Sequence, residues 1–252
     1  MIVKSVMSTV YAGTSGFAYP AWKPEFYPAG VAASRFLEHY ATRLNCVEIN
    51  YTFRRMPSTS TLESWVAATP PGFSFVIKAH QRITHVQRLK DAEETTGFFL
   101  GRLEPLRAAG RLGPVLFQLP PFLKLDLPRL DAYLRLLPEG GRYTFEFRHP
   151  SWFTDDVYEL LHAHNAALCV AESEKLEVPD VVTADFSYYR LRKPEYPEAE
   201  LGALAARALG LLGEGHDSYL AFKHEEDPGG ALCAERLLAL VQRGAAAGRA
   251  AA

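Results

Sequence analysis

The chain has 252 residues, 27 of them Lys or Arg against 29 Asp or Glu, for a formal net charge of −2. With 48% hydrophobic and 12% aromatic residues it carries enough apolar surface to offset the entropy of folding, which excludes a disordered chain; its charge balance excludes a chain-wide polyanion-binding face. At this length a core buries roughly 70–75% of the unfolded surface without disulfide or metal, and one α/β barrel or two ordinary domains would both fit.

Residues 1–10 hold one lysine and scattered serines, without the apolar core of a secretory signal. The first strand is expected over 10–17. Ser34 then precedes Phe36, Leu37, Tyr40, Ala41 and Leu44 at helical spacing, and a second strand follows over 46–53. Ser60 and Glu63 have capping-box spacing ahead of Trp65 and Val66, leading to a strand over 74–79. A helix over 95–106 puts Phe98, Phe99, Leu103 and Leu106 on one face, before a strand over 114–119. Pro128 suits a first helical turn before Leu130, Tyr133, Leu134 and Leu137, and a strand follows over 143–148. Thr154 caps a run with Val157, Leu160 and Leu161, ahead of a strand over 167–172. Pro179 and a polar start leave little room for helix over 173–186, so this crossover is expected to be irregular. Strands over 187–192 and 219–224 alternate with helices over 201–212 and 231–241, and the Ala/Gly tail from 243 is expected to fray.

Eight strands alternating with helices predict parallel βα units closed into a single (β/α)8 barrel spanning 1–252. An open doubly wound sheet is the alternative, but Gly13-Thr14-Ser15-Gly16 lacks the spacing of a dinucleotide fingerprint. No run approaches 18 apolar residues, so no membrane span is expected. Cys46, Cys169 and Cys233 are odd in number and far apart, the usage of reduced thiols in a cytoplasmic protein.

Strand parity sorts the polar residues. Glu48 and Asn50 oppose Val47, Ile49 and Tyr51; Lys78 and His80 oppose Phe75 and Ile77; Gln118 opposes Phe117 and Leu119. Glu146 and Arg148 oppose Phe145 and Phe147, Arg190 and Arg192 oppose Tyr189 and Leu191, and Lys223 opposes Leu220 and Phe222. One face is thus apolar and meets the helices. The other turns polar toward the C-terminal ends of the strands, where barrel active sites assemble. Positive residues outnumber negative ones on that face, which predicts an anion-focusing mouth. The same charges could instead neutralise one another as a structural network, with Lys78 paired to Glu48.

In order along the chain come Gly13-Thr14-Ser15-Gly16-Phe17 with Tyr19 and Trp22, Val47-Glu48-Ile49-Asn50, Lys78-Ala79 with Ile83-Thr84-His85, Gln118-Leu119-Pro120-Pro121, and Glu146-Phe147-Arg148-His149 with Ser151-Trp152. In this combination, over about residues 12–231, the chain resembles the DUF72, or YecE-like, family. The resemblance implies a TIM-type barrel and brings no reaction with it. It implies a Tyr-x-Arg-x-His-Gly run on the seventh strand and Phe-Asn-Asn near the eighth. Here the chain reads Tyr188-Tyr189-Arg190-Leu191-Arg192-Lys193 and Phe222-Lys223-His224, so Arg190 carries over and Arg192, Lys193, Lys223 and His224 do not.

Three readings of the chemistry compete. In the first, an enzyme acts on a phosphorylated or anionic small molecule, nucleotide or nucleic-acid end: Glu48, Glu146 and Lys78 do the chemistry, while Ser15, Asn50, His80, Gln118, Arg148, His149, Trp152, Arg190 and Lys223 bind substrate. Lys78 could also serve as an imine-forming amine. In the second, the same cations make a non-catalytic anion or nucleic-acid module, with Phe17, Tyr19, Trp22, Phe26, Tyr27, Trp152 and Phe153 either stacking on bases or packing loops. In the third, Glu48 and Glu146 form a glycosidase pair. No cofactor is expected, and cations among Glu48, His80, Glu146, His149 and Glu172 make a poor divalent-metal site.

Overall fold

The computed structural model describes residues 8–223 and 226–251, and the expectations placed on 1–7 and on His224 lie outside them. Eight parallel strands close in sequence order: β1 (Val10–Ser15), β2 (Cys46–Ile49), β3 (Ser74–Lys78), β4 (Leu112–Gln118), β5 (Tyr143–Glu146), β6 (Ala166–Ala171), β7 (Phe186–Leu191) and β8 (Asp217–Phe222), with β8 pairing back onto β1. The helices are α1 (Phe36–Arg43), α2 (Thr59–Ala67), α3 (Glu93–Arg102), α4 (Glu104–Ala108), α5 (Leu127–Leu134), α6 (Asp155–Ala163), α7 (Glu198–Gly213) and α8 (Gly229–Ala251). The fold is a single (β/α)8 barrel. No helix is long and apolar enough to cross a membrane among the described residues.

Most departures from expectation occur at element ends, where caps decide. The first helix starts two residues after Ser34, which lies in a 3-10 turn (Ala33–Arg35) and caps nothing. The cap of α2 is Ser58, whose hydroxyl accepts from the Thr61 N–H, rather than Ser60. Pro105 has no N–H to continue α3, so the expected single helix breaks into α3 and α4 at Leu103, and Phe98 turns outward, 66% exposed. Asp126 caps α5 by accepting from Arg129 N–H, while Thr154 precedes α6 without a side-chain cap bond. The Ala/Gly tail expected to fray continues α8 as helix. As expected, the β6–β7 connection holds no helix. Thr183 pins it instead, accepting from Leu168 N–H and donating to the Ala166 carbonyl.

Parity holds around the barrel. Val47, Ile49, Phe75, Ile77, Val115, Phe117, Phe145, Phe147, Tyr189, Leu191, Leu220 and Phe222 pack with the helices in one core. Inside the barrel a second core stacks in layers. Tyr11 and Tyr219 lie face to face (ring centroids 4.5 Å) with Phe186 at the N-terminal end, closed off by the Arg142–Asp217 ion pair. Val76, Leu116, Cys169, Tyr188 and Ala221 fill the middle. This apolar plug leaves the polar residues of the next layer with no place but the C-terminal mouth.

Candidate active site

The centre of the mouth is one guanidinium held between two carboxylates. Arg190 on β7 donates from Nε and Nη2 to the two oxygens of Glu48 on β2 (2.8 and 2.7 Å), and from Nη1 to Glu146 on β5 (2.6 Å). All three side chains are buried, with Arg190 only 3% exposed. A charge in such a place must be paired and hydrogen-bonded, and this one is. Ser15 and Asn50 donate to Glu48 at 2.7 and 2.9 Å, Tyr188 does so at 2.5 Å, and the Gln118 amide nitrogen donates to Glu146, 2.9 Å from both carboxylate oxygens. Burial alone would raise the Glu48 carboxyl; the Arg190 charge and hydrogen bonds reverse that and hold it at about 2. Glu146 is held below the ordinary carboxylate range by Arg190 and then Arg192, again against burial.

This network changes the roles expected of several residues. Arg190 directs Nε, Nη1 and Nη2 at carboxylates, so it is an internal counterion, not a holder of substrate. Ser15 is buried and serves Glu48. Glu48 and Glu146 are both fixed as anions, whereas a glycosidase needs one of its two carboxyls protonated to protonate the leaving oxygen; the paired-acid reading loses its acid. A divalent metal does not fit either, since it would have to displace Arg190 from between the two carboxylates. No three His, Cys, Asp or Glu side chains come together elsewhere among the described residues.

Trp152, expected at the substrate, faces the helices. It is 1% exposed, stacked on Phe147 at 4.6 Å, with its indole N–H donating to the Leu123 carbonyl. The aromatic loop after β1 likewise packs: Trp22, Phe26 and Tyr27 are buried against Phe36 and Tyr40. His149 accepts at Nδ1 from the Ser151 N–H and caps the turn Pro150–Trp152. His80 accepts from the Arg82 N–H. Lys223 is exposed at the end of β8.

What remains open to ligand is a cationic rim. Lys78, at the end of β3, is hydrogen-bonded to the Gln118 carbonyl oxygen (2.8 Å), not paired to Glu48, and its ammonium lies 4.4 Å from the centre of the Phe53 ring. Burial, and then the Arg190 charge, lower it to about 8. Arg148 stands 41% exposed with Nε 3.6 Å from Glu146, and Arg192 reaches the same carboxylate at 3.4 Å. The Nε of Arg192 is buried without a partner. These two arginines line a cleft of about 920 Å3 between the ends of β5, β6 and β7, together with Val170, Ala171 and the carboxylates of Glu172, Glu174 and Glu177. Glu172 braces its far wall, accepting from the Arg192 and Lys193 backbone N–H groups and from the Tyr196 hydroxyl.

His85, part of the Ile83-Thr84-His85 motif, belongs to this rim, although the sequence assigns it no catalytic or substrate-binding role. It sits on a π-helical turn (Arg82–Val86), edge-on to the Phe53 ring at 4.9 Å. Burial lowers its pKa, and the Lys78 and Arg148 charges lower it further, which puts the three groups on one side of the mouth. A single-turn π-helix marks functional positions often enough to have been a clue, but nothing in side-chain periodicity announces one.

A family model described as "Protein of unknown function DUF72" matches residues 11–251. The chain is 33% identical over 194 residues to UPF0759 protein YecE of Escherichia coli K12, covering 75% of this chain and 68% of that protein. It is 31% identical over 157 residues to UPF0759 protein YunF of Bacillus subtilis, covering 60% of this chain and 54% of YunF. Among solved structures, a DUF72 family protein from Thermotoga maritima superposes with a TM-score of 0.82 at 28% identity, covering 93% of this chain and 99% of that one. One from Enterococcus faecalis, at 17% identity, shares the fold with a TM-score of 0.79 over 93% of this chain and 96% of its own.

Proposed function

The chain belongs to the DUF72 family, and on that premise we propose that it is an enzyme of the barrel mouth acting on a small molecule that carries a phosphate or carboxylate. Arg148 and Arg192 hold the anion in the cleft at the ends of β5 and β7. Lys78 carries the chemistry, with Glu48, Glu146 and Arg190 as the rigid charged floor that fixes their positions. One observation carries this reading: the Nε of Arg192 is buried without a partner beside a carboxylate that already accepts from Arg190, from Gln118 and from the Nη2 of Arg192 itself. A buried guanidinium nitrogen left unpaired is costly, and a turn of the Arg192 side chain toward an oxyanion in the cleft would satisfy it.

The size of the cleft, about 920 Å3, favours a small ligand over a nucleic-acid strand, since small-molecule pockets run to roughly 300–1,000 Å3. Inorganic phosphate at about 100 times its Kd is expected to stabilise the chain by about 2.7 kcal/mol in thermal melts. Arg148→Ala and Arg192→Ala are each expected to weaken phosphate about 10- to 100-fold, the loss of one charge-assisted contact. Unchanged phosphate stabilisation in both variants would rule the anion site out.

A further inference from the structure

We infer that Lys78 is a nucleophilic amine that condenses with an aldehyde or ketone bearing a phosphate or carboxylate, forming an imine inside the barrel mouth. The inference rests on the anion-binding reading above and adds to it the bond that forms. Its geometric basis is the way Gln118 is locked. The Gln118 amide nitrogen donates to the Glu146 carboxylate, 2.9 Å from each of its oxygens, and with the nitrogen held there the carbonyl oxygen of the same amide faces Lys78. That carbonyl accepts equally from an ammonium and from a neutral amine, so it positions Nζ without holding the proton on it. Neither mouth carboxylate replaces it as the partner of Lys78, because Glu48 and Glu146 are bonded to Arg190. The Phe53 ring covers one side of the amine.

The charged and titratable groups around Nζ are Arg190, Arg192, Glu146, Glu48 and His85. Burial and the two arginines favour the neutral amine, and the two carboxylates oppose it, with a balance at about 8. A lysine desolvated beside another cation is the arrangement that activates amines for imine formation. In the step itself, the Nζ lone pair attacks the carbonyl carbon and forms the C–N bond, while the carbonyl π pair moves to oxygen; one of the two Nζ protons passes to that oxygen and leaves a neutral carbinolamine. The hydroxyl then takes up a second proton and leaves as water as the nitrogen lone pair closes the C=N bond, and the remaining Nζ proton is released from the iminium, replacing the one taken up. No oxidant or reductant is consumed. His85, which packs edge-on against the same Phe53 ring and feels the Lys78 charge, carries the proton, while Arg148 and Arg192 receive the anionic end of the carbonyl compound.

The test uses pyridoxal 5′-phosphate, a phosphorylated aldehyde, on the full chain, followed by borohydride trapping and peptide mass spectrometry. The expected result is one dominant reduced adduct on Lys78, with a labelling rate that rises through pH 8 and is absent in Lys78→Arg, whose folding is checked by melting. Pyridoxal lacking the phosphate is expected to label on the order of tenfold more slowly, the effect of losing one charge-assisted phosphate contact, and inorganic phosphate is expected to protect the native chain. Labelling spread over exposed lysines with no excess at Lys78 overturns the imine, even where phosphate binding still depends on Arg148 and Arg192. Dominant labelling of Lys78 that is indifferent to phosphate supports the nucleophile and overturns the anion site instead.

Discussion

Replacing Arg190 by Met is expected to destabilise the folded chain by about 3–5 kcal/mol, the range for removing one partner of a buried ion pair. At this chain length that is a fall of roughly 6–20 °C in melting temperature. The pH dependence should also change sign. In the native chain Glu48 titrates at about 2, below the ordinary 4.5, so it contributes stability that is present above the unfolded value and lost as pH falls from 4.5 toward 2. Glu146 is shifted in the same direction. Without Arg190, burial acts on both carboxyls with its main opponent gone, and their folded pKa values rise above the unfolded ones. Their contribution is then present below the unfolded value and lost as pH rises through the raised one. Melting the variant at pH 5 and pH 8 should therefore show the Glu48 and Glu146 contribution favouring pH 5. The native chain should instead be somewhat more stable at pH 8, because the lowered His85 and Lys78 groups shed their protons more readily in the folded chain. Adding Glu48→Gln and Glu146→Gln to the Met variant should recover much of the loss, since no unpaired charge then stays buried. A variant as stable as the native chain at both pH values would mean that the triad is solvated and only loosely formed.

The same residue marks where the sequence stops being informative. Parity follows from the two-residue repeat of a strand, so the inward direction of Glu48, Lys78, Gln118, Glu146 and Arg190 was legible, and with it the polar mouth. Direction does not name a partner. Arg190 meets Glu48 across the barrel at a separation of 142 residues, and which cation takes which carboxylate depends on barrel closure. The Lys78–Gln118 contact was closer to legible: neighbouring strands β3 and β4 pair Lys78 with Leu116, which leaves Gln118 as the next inward residue. Trp152 shows the opposite failure. A large aromatic just past a strand end suits a ligand or the back of a loop equally, and here the indole N–H finds the buried Leu123 carbonyl. The cap of α2 was misplaced by two residues for a local reason, the competition among neighbouring hydroxyls at 58–61 for one N–H.

The second large effect concerns Gly13, and it tests whether the Gly13-Thr14-Ser15-Gly16 run is a structural device. Gly13 pairs with Cys46 at the start of the β1–β2 ladder. A methyl group there would stand 1.8 Å from the Cys46 carbonyl oxygen and 2.8 Å from the Tyr40 hydroxyl. The first obstacle is backbone and cannot rotate away. Tyr40 bridges the two strands at this point, accepting from Thr14 N–H and donating to the Cys46 carbonyl, so β1 and β2 have to part to admit the methyl. Ser15 moves with β1 and withdraws a donor from Glu48. Gly13→Ala is thus expected to cost about 3 kcal/mol, the upper range of overpacking, or roughly 6–12 °C in melting. Gly97→Ala is the matched control. Gly97 lies exposed inside α3 with nothing within 4 Å of the added methyl, so the change should stabilise by about 0.5–1 kcal/mol through lost freedom of the unfolded chain. One substitution with opposite signs at two glycines separates a close backbone approach from helix propensity. A Gly13→Ala protein melting within about 2 °C of the native chain would mean the strands can part at a cost below 1 kcal/mol. The floor of the mouth would then be softer than the Arg190 network requires.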